Sequence, residues 1–351
     1  MSVKASTDNS SMNKTVGWGF IGTSNIAKQW MAAAVRHQPG HEVMAVMSNS
    51  LSRAEMYAQD LKIANAYDSF AALLADPAVD VVYISNTNEQ HKPAVLAAAK
   101  AGKHVFCEKP LALNLADAAE MVSACKQAGV VMATNHHLRN AATHQAIRAE
   151  IAAGTVGQVI GVRIFHAIHL PQPLQTWRVN DPKAGGGVVL DVAVHDADVI
   201  RYLLAEDPVD VMAYAQTGGM ASAVEDGAMT MLQMPSGALV QTHESFMVPY
   251  AGTGLEVHGT KGSIVARDIL TQRSAGTVEV ITETGRRQLD IQHHNLYHYS
   301  LAQFAQAIAG NGQPAVTGED GLKSLAIALA MLKSAEQGQR VRIDYPTVYA
   351  Q

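Results

Sequence analysis

The sequence predicts an α/β chain in which an N-terminal doubly wound parallel sheet precedes a C-terminal α/β domain built on an open antiparallel sheet. Three observations carry this. Up to Thr134 short apolar runs alternate with helical patterns, beyond Ala141 long β-like runs separated by turns replace them, and the last stretch returns to helical periodicity. Alternation of strand and helix implies right-handed βαβ crossovers and a parallel sheet. Consecutive strands meeting at tight turns such as Pro235-Ser236-Gly237 imply antiparallel neighbours.

In chain order, a strand over 16–21 runs into a helix over 26–37, and a strand over 43–47 into a helix over 52–62. A strand over 79–85 and a helix over 93–102 follow. Then come a strand over 104–107, a helix over 115–128 stopped by Gly129, and a strand over 130–134. The β-like runs of the second region are 159–169, 209–217, 228–234, 238–246, 255–264 and 277–283, and helices over 296–309 and 321–336 close the chain. These helices are expected to pack back on the first sheet. The expected organisation is a disordered extension over 1–13, a nucleotide-binding domain over 14–135 and a substrate-binding domain over 136–351.

A length of 351 residues accommodates two domains, and 48% hydrophobic with 16% charged residues describes a folded globular chain. A net charge of -5 with scattered Lys and Arg gives no basic stripe and argues against nucleic acid. Cys107 and Cys125, the only cysteines, make no disulfide framework and fit a reducing cytoplasm. The polar first 13 residues lack the apolar core and twin arginines of a secretory signal, and Met12 is an alternative start to Met1. No apolar run approaches the ~20 residues of a membrane span.

Two glycine patterns overlap at the end of the first strand. Gly17-Trp-Gly19-Phe-Ile-Gly22 matches G-x-G-x-x-G literally, but its early glycines would fall inside the strand. The physically sensible register is Gly22-Thr23-Ser24-Asn25-Ile26-Ala27. In it Gly22 ends the strand, Ser24 faces a pyrophosphate, Ala27 lets the helix pack closely, and backbone N–H groups at the helix start hold the phosphates. The second strand ends in Ser48-Asn49-Ser50, with Arg53 beyond and no carboxylate where NAD sites place one. Hydroxyls and a guanidinium suit a 2′-phosphate, so the expected cofactor is NADP(H).

Glu108-Lys109-Pro110 closes the strand over 104–107 and sets an ammonium at the strand end, where ligands bind in doubly wound sheets. The proline stiffens that turn and allows a cis bond. Further on, Gly185-Gly186-Gly187 precedes a predicted helix on which Asp191 and His195 stand at i and i+4, on one face. That spacing is expected to let the carboxylate orient the imidazole and favour its protonated form, as a proton donor to a reduced carbonyl requires. The glycines are expected to let a ligand or another backbone approach the helix start. Among the 15 histidines, His136-His137 are placed to line the cleft. Neither they, nor His166 with His169, nor His293-His294 with His298, have metal-ligand spacing, so no metal is expected. No G-x-S-x-G elbow supports a serine hydrolase.

With Gly22-x-Ser24-x-Ile26-Ala27, Glu108-Lys109-Pro110 and Gly186-Gly187-x-x-x-Asp191-x-x-x-His195-x-x-Asp198 in this order, the chain from about Thr15 to its end resembles the glucose-fructose oxidoreductase / inositol dehydrogenase (Gfo/Idh/MocA) family. The longer strings Ser85-Asn86-Thr87-Asn88-Glu-Gln-His91, Thr134-Asn135-His136-His137, Trp177-Arg178 and Val257-His258-Gly259-Thr260 add to the resemblance. It implies a Rossmann domain beside an antiparallel α/β domain, with nicotinamide and sugar meeting between them. It further implies that Lys109 polarises the carbonyl and contacts the nicotinamide ribose region, that His195 is the general acid, and that Asp191 orients substrate and histidine. Ser24, Ala27, Ser48 and Arg53 are implied NADPH determinants. Thr23, Asn25, Ile26, Asn49, Ser85, Asn86, Thr87, Asn88, His91 and Glu108 are expected beside them, with Asn135, Trp177, Arg178 and Tyr297 in the cleft. The implied reaction is hydride transfer from NADPH to the C2 ketone of a cyclic anhydro-sugar, giving 1,5-anhydro-D-mannitol. Oxidation of an inositol or anhydro-sugar, and a sugar or NADP sensor without turnover, are the alternatives. The expected state is a monomer or a homo-oligomer paired through the antiparallel sheet, whose strands show no decisive apolar outer face in sequence.

Overall fold

Six short strands, apolar on both faces because helices cover both, form a parallel sheet. They are β1 (Val16–Ile21), β2 (His41–Met47), β3 (Asn65–Tyr67), β4 (Val81–Ile84), β5 (His104–Cys107) and β6 (Met132–Thr134), in the order β3-β2-β1-β4-β5-β6. The structure is a computed structural model and describes residues 15–348, so the extension expected over 1–13 lies outside the described residues. The strand order reverses between β1 and β4, and a crevice opens at such a point beyond the strand ends. A π turn (Ala27–Met31) leading into α1 (Ala32–His37), then α2 (Leu51–Leu61), α3 (Phe70–Ala75), α4 (His91–Lys100) and α5 (Leu115–Gln127) connect the strands. The unit β3 and α3 has no counterpart in the sequence reading. Three half-buried residues and a six-residue helix, capped at Ser69, are too short to show a period.

After α6 (Ala142–Ala152), also unread in the sequence, a nine-stranded sheet begins at β7 (Val159–Ala167). Helices α7 (Trp177–Asn180) and α8 (Val194–Leu204) cross before β8 (Asp210–Gln216), β9 (Gly227–Gln233), β10 (Leu239–Ser245), β11 (Gly254–Gly259), β12 (Gly262–Arg267), β13 (Thr277–Thr282) and β14 (Gly285–Gln288). The sheet is mostly antiparallel, as expected, and two features refine that expectation. The sheet is mixed, because β7 and β10 pair in parallel while the other pairs are antiparallel. The run expected over 255–264 is the hairpin β11–β12, since the chain reverses between Gly259 and Gly262. The outer face of the sheet exposes Tyr214 on β8, Met229 and Met231 on β9 and Leu239 on β10, an apolar character that sequence alone did not reveal.

Of the closing helices, α9 (Leu296–Ile308) packs on α1 and α10 (Gly318–Gln337) on α5 and β6, and the edge strand β15 (Val341–Arg342) that follows pairs with β8. Tyr297, Leu301 and Phe304 of α9 complete the core around Trp18, Phe20 and Phe106, with the Phe106 and Phe304 rings edge to face at 5.2 Å. Helix α10 starts with a capping box between Thr317 and Asp320 and lies against β6 on one side and β8 on the other. Among the described residues no helix is long and apolar enough to cross a membrane.

Candidate active site

The crevice begins at the turn after β1. Gly22 has φ +108°, and a Cβ there would lie 2.7 Å from the Asn86 backbone nitrogen, so the tight exits of β1 and β4 require glycine. Gly17 and Gly19 lie inside β1, as the second register demands, and a Cβ on Gly17 would meet the Ala78 carbonyl oxygen at 1.7 Å. Ser24 Oγ donates to Ser85 Oγ at 2.8 Å and accepts from the Ala27 N–H at 3.2 Å, while Ala27 is fully buried. The loop therefore leads straight into a helical start, where the Ala27 N–H bonds Ser24 Oγ and the Lys28 N–H bonds the Ser24 carbonyl. Tyr57, unremarked in sequence, donates to the Ser24 carbonyl at 2.9 Å and ties α2 to this loop.

At the end of β2, Arg53 Nε donates to Ser48 Oγ at 2.9 Å, and its second nitrogen donates to Asn49 Oδ1. The three residues expected to read the 2′ position form one patch. Beyond β4, Asn86 Oδ1 is buried without a partner. Thr87 donates to the neighbouring Glu89, Asn88 Nδ2 donates to the Ala184 carbonyl at 2.9 Å, and His91 Nδ1 bonds the Pro110 carbonyl at 3.0 Å. Burial lowers the proton affinity of His91, which therefore donates this bond as a neutral ring and braces the lysine turn. Asn88 and His91 thus support the site through protein contacts.

The Lys109-Pro110 bond is cis. Glu108 accepts from Tyr83 at 2.5 Å and from Asn135 at 2.6 Å; burial raises its carboxyl against the opposing pull of those two bonds. Asn135 Oδ1 stays buried and unpartnered. Lys109 Nζ donates to the Asp191 carbonyl at 2.5 Å and to its carboxylate at 3.0 Å, while Arg178, stacked on Trp177, approaches the other carboxylate oxygen at 3.4 Å. Burial works to raise Asp191, but the two cations outweigh it and hold the carboxyl below its ordinary value.

This arrangement corrects the expected Asp191–His195 pairing. Asp191 turns to Lys109 and Arg178, and His195 Nδ1 is buried without a partner. Residues Val189–Ala193 form a π turn, wider than an α turn, so the i and i+4 side chains lose their alignment. The favoured charge state is corrected too. Burial, then the charges of Lys109, His137, His136 and His166, push His195 well below the usual histidine value, so the resting ring is neutral. His136 and His137 stand edge-on to it at 5.4 and 4.7 Å, pushed down to about 4 and about 3 chiefly by burial. Tyr297 stacks between His137 and Trp30, which brings it into the same cluster.

The glycine run is approached by protein rather than by open space. A Cβ on Gly186 would lie 2.6 Å from the Trp177 carbonyl, and one on Gly187, at φ +109°, 2.2 Å from the Glu225 carboxylate. Glu225 accepts from the Val189 N–H at 3.0 Å and caps the segment that carries Asp191. No local motif marks Glu225 in the sequence; it reaches the glycines only through the fold.

The glycine turn, the cationic patch at Arg53 and the orphaned amide oxygens of Asn86 and Asn135 fit a dinucleotide laid across the strand ends. Among the described residues no group of three or more His, Cys, Asp and Glu could hold a metal ion.

Comparison with known proteins agrees with this geometry. Residues 16–136 match the model of an oxidoreductase family with an NAD-binding Rossmann fold, and residues 144–265 match the GFO/IDH/MocA C-terminal domain. The chain is 49% identical to the 1,5-anhydro-D-fructose reductase of Ensifer adhaerens over 93% of its own length and 98% of that protein. It is 32% identical to the myo-inositol 2-dehydrogenase of Thermotoga maritima over 82% and 86% of the two chains. The aldose-aldose oxidoreductase of Caulobacter crescentus, solved with glycerol, superposes with a TM-score of 0.86 at 26% identity, covering 94% of this chain and 100% of that one. The chain belongs to the Gfo/Idh/MocA family of Rossmann-fold oxidoreductases.

Proposed function

We propose that this protein reduces the C2 ketone of 1,5-anhydro-D-fructose to 1,5-anhydro-D-mannitol with NADPH, in a reducing cytoplasm. The observation that carries the reading is the convergence of the Lys109 ammonium and the buried His195 imidazole on one crevice at the strand ends. The 49% identity to a reductase of that substrate supports it. NADPH rather than NADH is inferred from Ser48, Asn49 and Arg53, whose donors and positive charge suit a 2′-phosphate.

The Gly22–Ala27 loop and the Arg53 patch would hold the cofactor, which when bound would supply the hydride. Lys109, fixed by Asp191, offers a positive charge to the oxygen that becomes an alkoxide in the transition state. His195 delivers the proton that the new hydroxyl needs. Asp191 and Arg178 hold the lysine head in its approach, and the rings of His136 and His137 keep water away from the imidazole.

Because the resting His195 ring is neutral, its protonated, donating form grows as pH falls. Reduction is therefore expected to accelerate from pH 8 toward pH 5 by about tenfold per unit where this step limits. The same neutral ring would act as a base on an alcohol, and this favours a second reading, oxidation of an inositol or anhydro-sugar. Initial rates with 1,5-anhydro-D-fructose and either NADPH or NADH, beside polyols with NADP+ or NAD+, separate the two. Ketone-dependent NADPH oxidation that slows as pH rises supports the reductase; turnover of polyols alone, nearly level over the same range because the ring is already neutral, replaces it with the dehydrogenase.

A further inference from the structure

The loop between β8 and β9 is ordered by a carboxylate that the mechanism does not use. Asp226 is fully buried just before β9, and its Oδ2 accepts from the backbone N–H groups of Gly219, Met220 and Ala221 at 3.0, 2.7 and 2.8 Å. Burial works to raise its carboxyl, but the N–H bonds from Ala221, Met220, Gly219 and Gly218 outweigh it and hold the group below its ordinary value, so it is ionised. Successive N–H groups converging on one oxygen form an anion-binding nest, and here the anion is the chain's own. The loop has little apolar anchorage. Thr217, Gly218, Gly219, Ser222 and Ala223 are exposed, and within 217–225 only Ala221 and Val224 are buried.

The far end of this loop bonds both sides of the lysine clamp. Ser222 donates its N–H to the Val179 carbonyl at 3.0 Å, next to Arg178 in α7. Glu225 accepts from the Val188 N–H through its carbonyl and from the Val189 N–H through its carboxylate, both at 3.0 Å, where the turn that carries Asp191 begins. We propose that Asp226 is a positioning residue: by fixing the β8–β9 loop it sets Arg178 against Asp191, and through Asp191 the Lys109 ammonium. The inference rests on the reading of Lys109 as the charge that meets the substrate oxygen. Arg178 stands 3.4 Å from the Asp191 carboxylate, longer than an ordinary charge-assisted bond, so a small shift of either segment makes or breaks that contact.

The test reads backbone amide exchange by NMR, and kinetics, on the full chain. Asp226→Asn keeps the shape and removes the charge. Exchange without substrate is expected to quicken about tenfold at Ser222, Val188 and Val189 as well as at 219–221, while the strands of the first sheet keep their rates. With the substrate that the wild type turns over, ketone or polyol, kcat is expected to fall about tenfold and the cofactor dissociation constant to stay within about twofold. In an Arg178→Ala background the same substitution should cost less than about twofold in kcat, because no guanidinium remains to be set; a general loosening would cost the same in both backgrounds. Faster exchange confined to 219–221 overturns the link to Val188 and Val189, and equal kcat losses with and without Arg178 overturn the positioning role. Should Asp226→Asn not fold, Ser222→Pro, which removes the N–H to Val179 at an exposed site, decides: lower kcat with unaltered cofactor affinity supports the proposal, and wild-type kinetics refute it. Exchange is read without substrate and kcat with whichever substrate is turned over, so failure of the ketone-reductase reading is distinguishable from failure of this one.

Discussion

In the proposed mechanism Lys109 and His195 divide the work between charge and proton, and each can be removed separately. Asp191 occupies two donors of the lysine head, through its carbonyl and its carboxylate, so the ammonium is oriented before any substrate arrives. Lys109→Ala is expected to lower kcat about 10²- to 10³-fold, the scale for loss of one preorganised charge stabiliser. His195→Ala should lower it about 10²- to 10⁴-fold, the scale for a general acid. In both, NADPH affinity measured by fluorescence should change far less; unaltered turnover in either variant would exclude that residue from the chemistry. At the other end of the crevice Arg53 bonds only neutral oxygens, Ser48 Oγ and Asn49 Oδ1, which leaves its charge for an anion. Arg53→Ala should raise KM for NADPH by about tenfold, the worth of one charge-assisted contact, and leave KM for NADH nearly as it was. Equal changes in both would refute the 2′-phosphate contact.

The segment that carries Asp191 is held by close approaches a side chain would disrupt. Gly187 has a positive φ and faces the Glu225 carboxylate that caps the same segment, so Gly187→Ala meets both backbone strain and a clash. It should cost about 1–3 kcal/mol and, by shifting the Asp191 end of the lysine clamp, reduce kcat along with the thermal midpoint. Adding Glu225→Ala should restore only part of the loss, because the strain in φ remains; full recovery would show that the carboxylate alone required glycine. Such elements were read unequally in sequence. The register at Gly22 and the strand ending at Lys109 were legible because their determinants are local: a glycine, an apolar run, a proline. The approach of Glu225 to Gly187 was not, since 38 positions separate them and only the folded sheet brings them together. The π turn at Val189–Ala193 escaped for another reason: its residues look helical, and nothing in their types marks the wider turn that takes Asp191 away from His195.

Across the whole molecule, one ion network ties the exit of the first sheet to the helices of the second. Arg139, in the turn after β6, donates to Asp198 of α8 at 2.8 Å and approaches Asp320 of α10 at 3.4 Å. Arg201 continues the chain to Asp320 at 3.2 Å and to Asp207 at 2.6 Å. Both α8, which carries His195, and the turn after β6, which carries His137, are held by these contacts. Burial tends to raise Asp320, yet Arg139 and Arg201 outweigh it and bring the carboxyl from its ordinary 3.8 down to about 2. A folded value below the unfolded one means that this contribution is complete above about pH 4 and disappears as pH falls toward 2. About 2 kcal/mol of stability is at stake, from just under two pKa units. Urea unfolding should therefore show a midpoint that declines between pH 4 and pH 2, with a shallower decline in Asp320→Asn. Arg139→Met goes further, because it leaves Asp198 buried without its guanidinium, and should cost about 3–5 kcal/mol at neutral pH. If Asp320→Asn keeps the full acid slope of the wild type, the dependence lies with other carboxylates and the network does not set the acid limit of the fold.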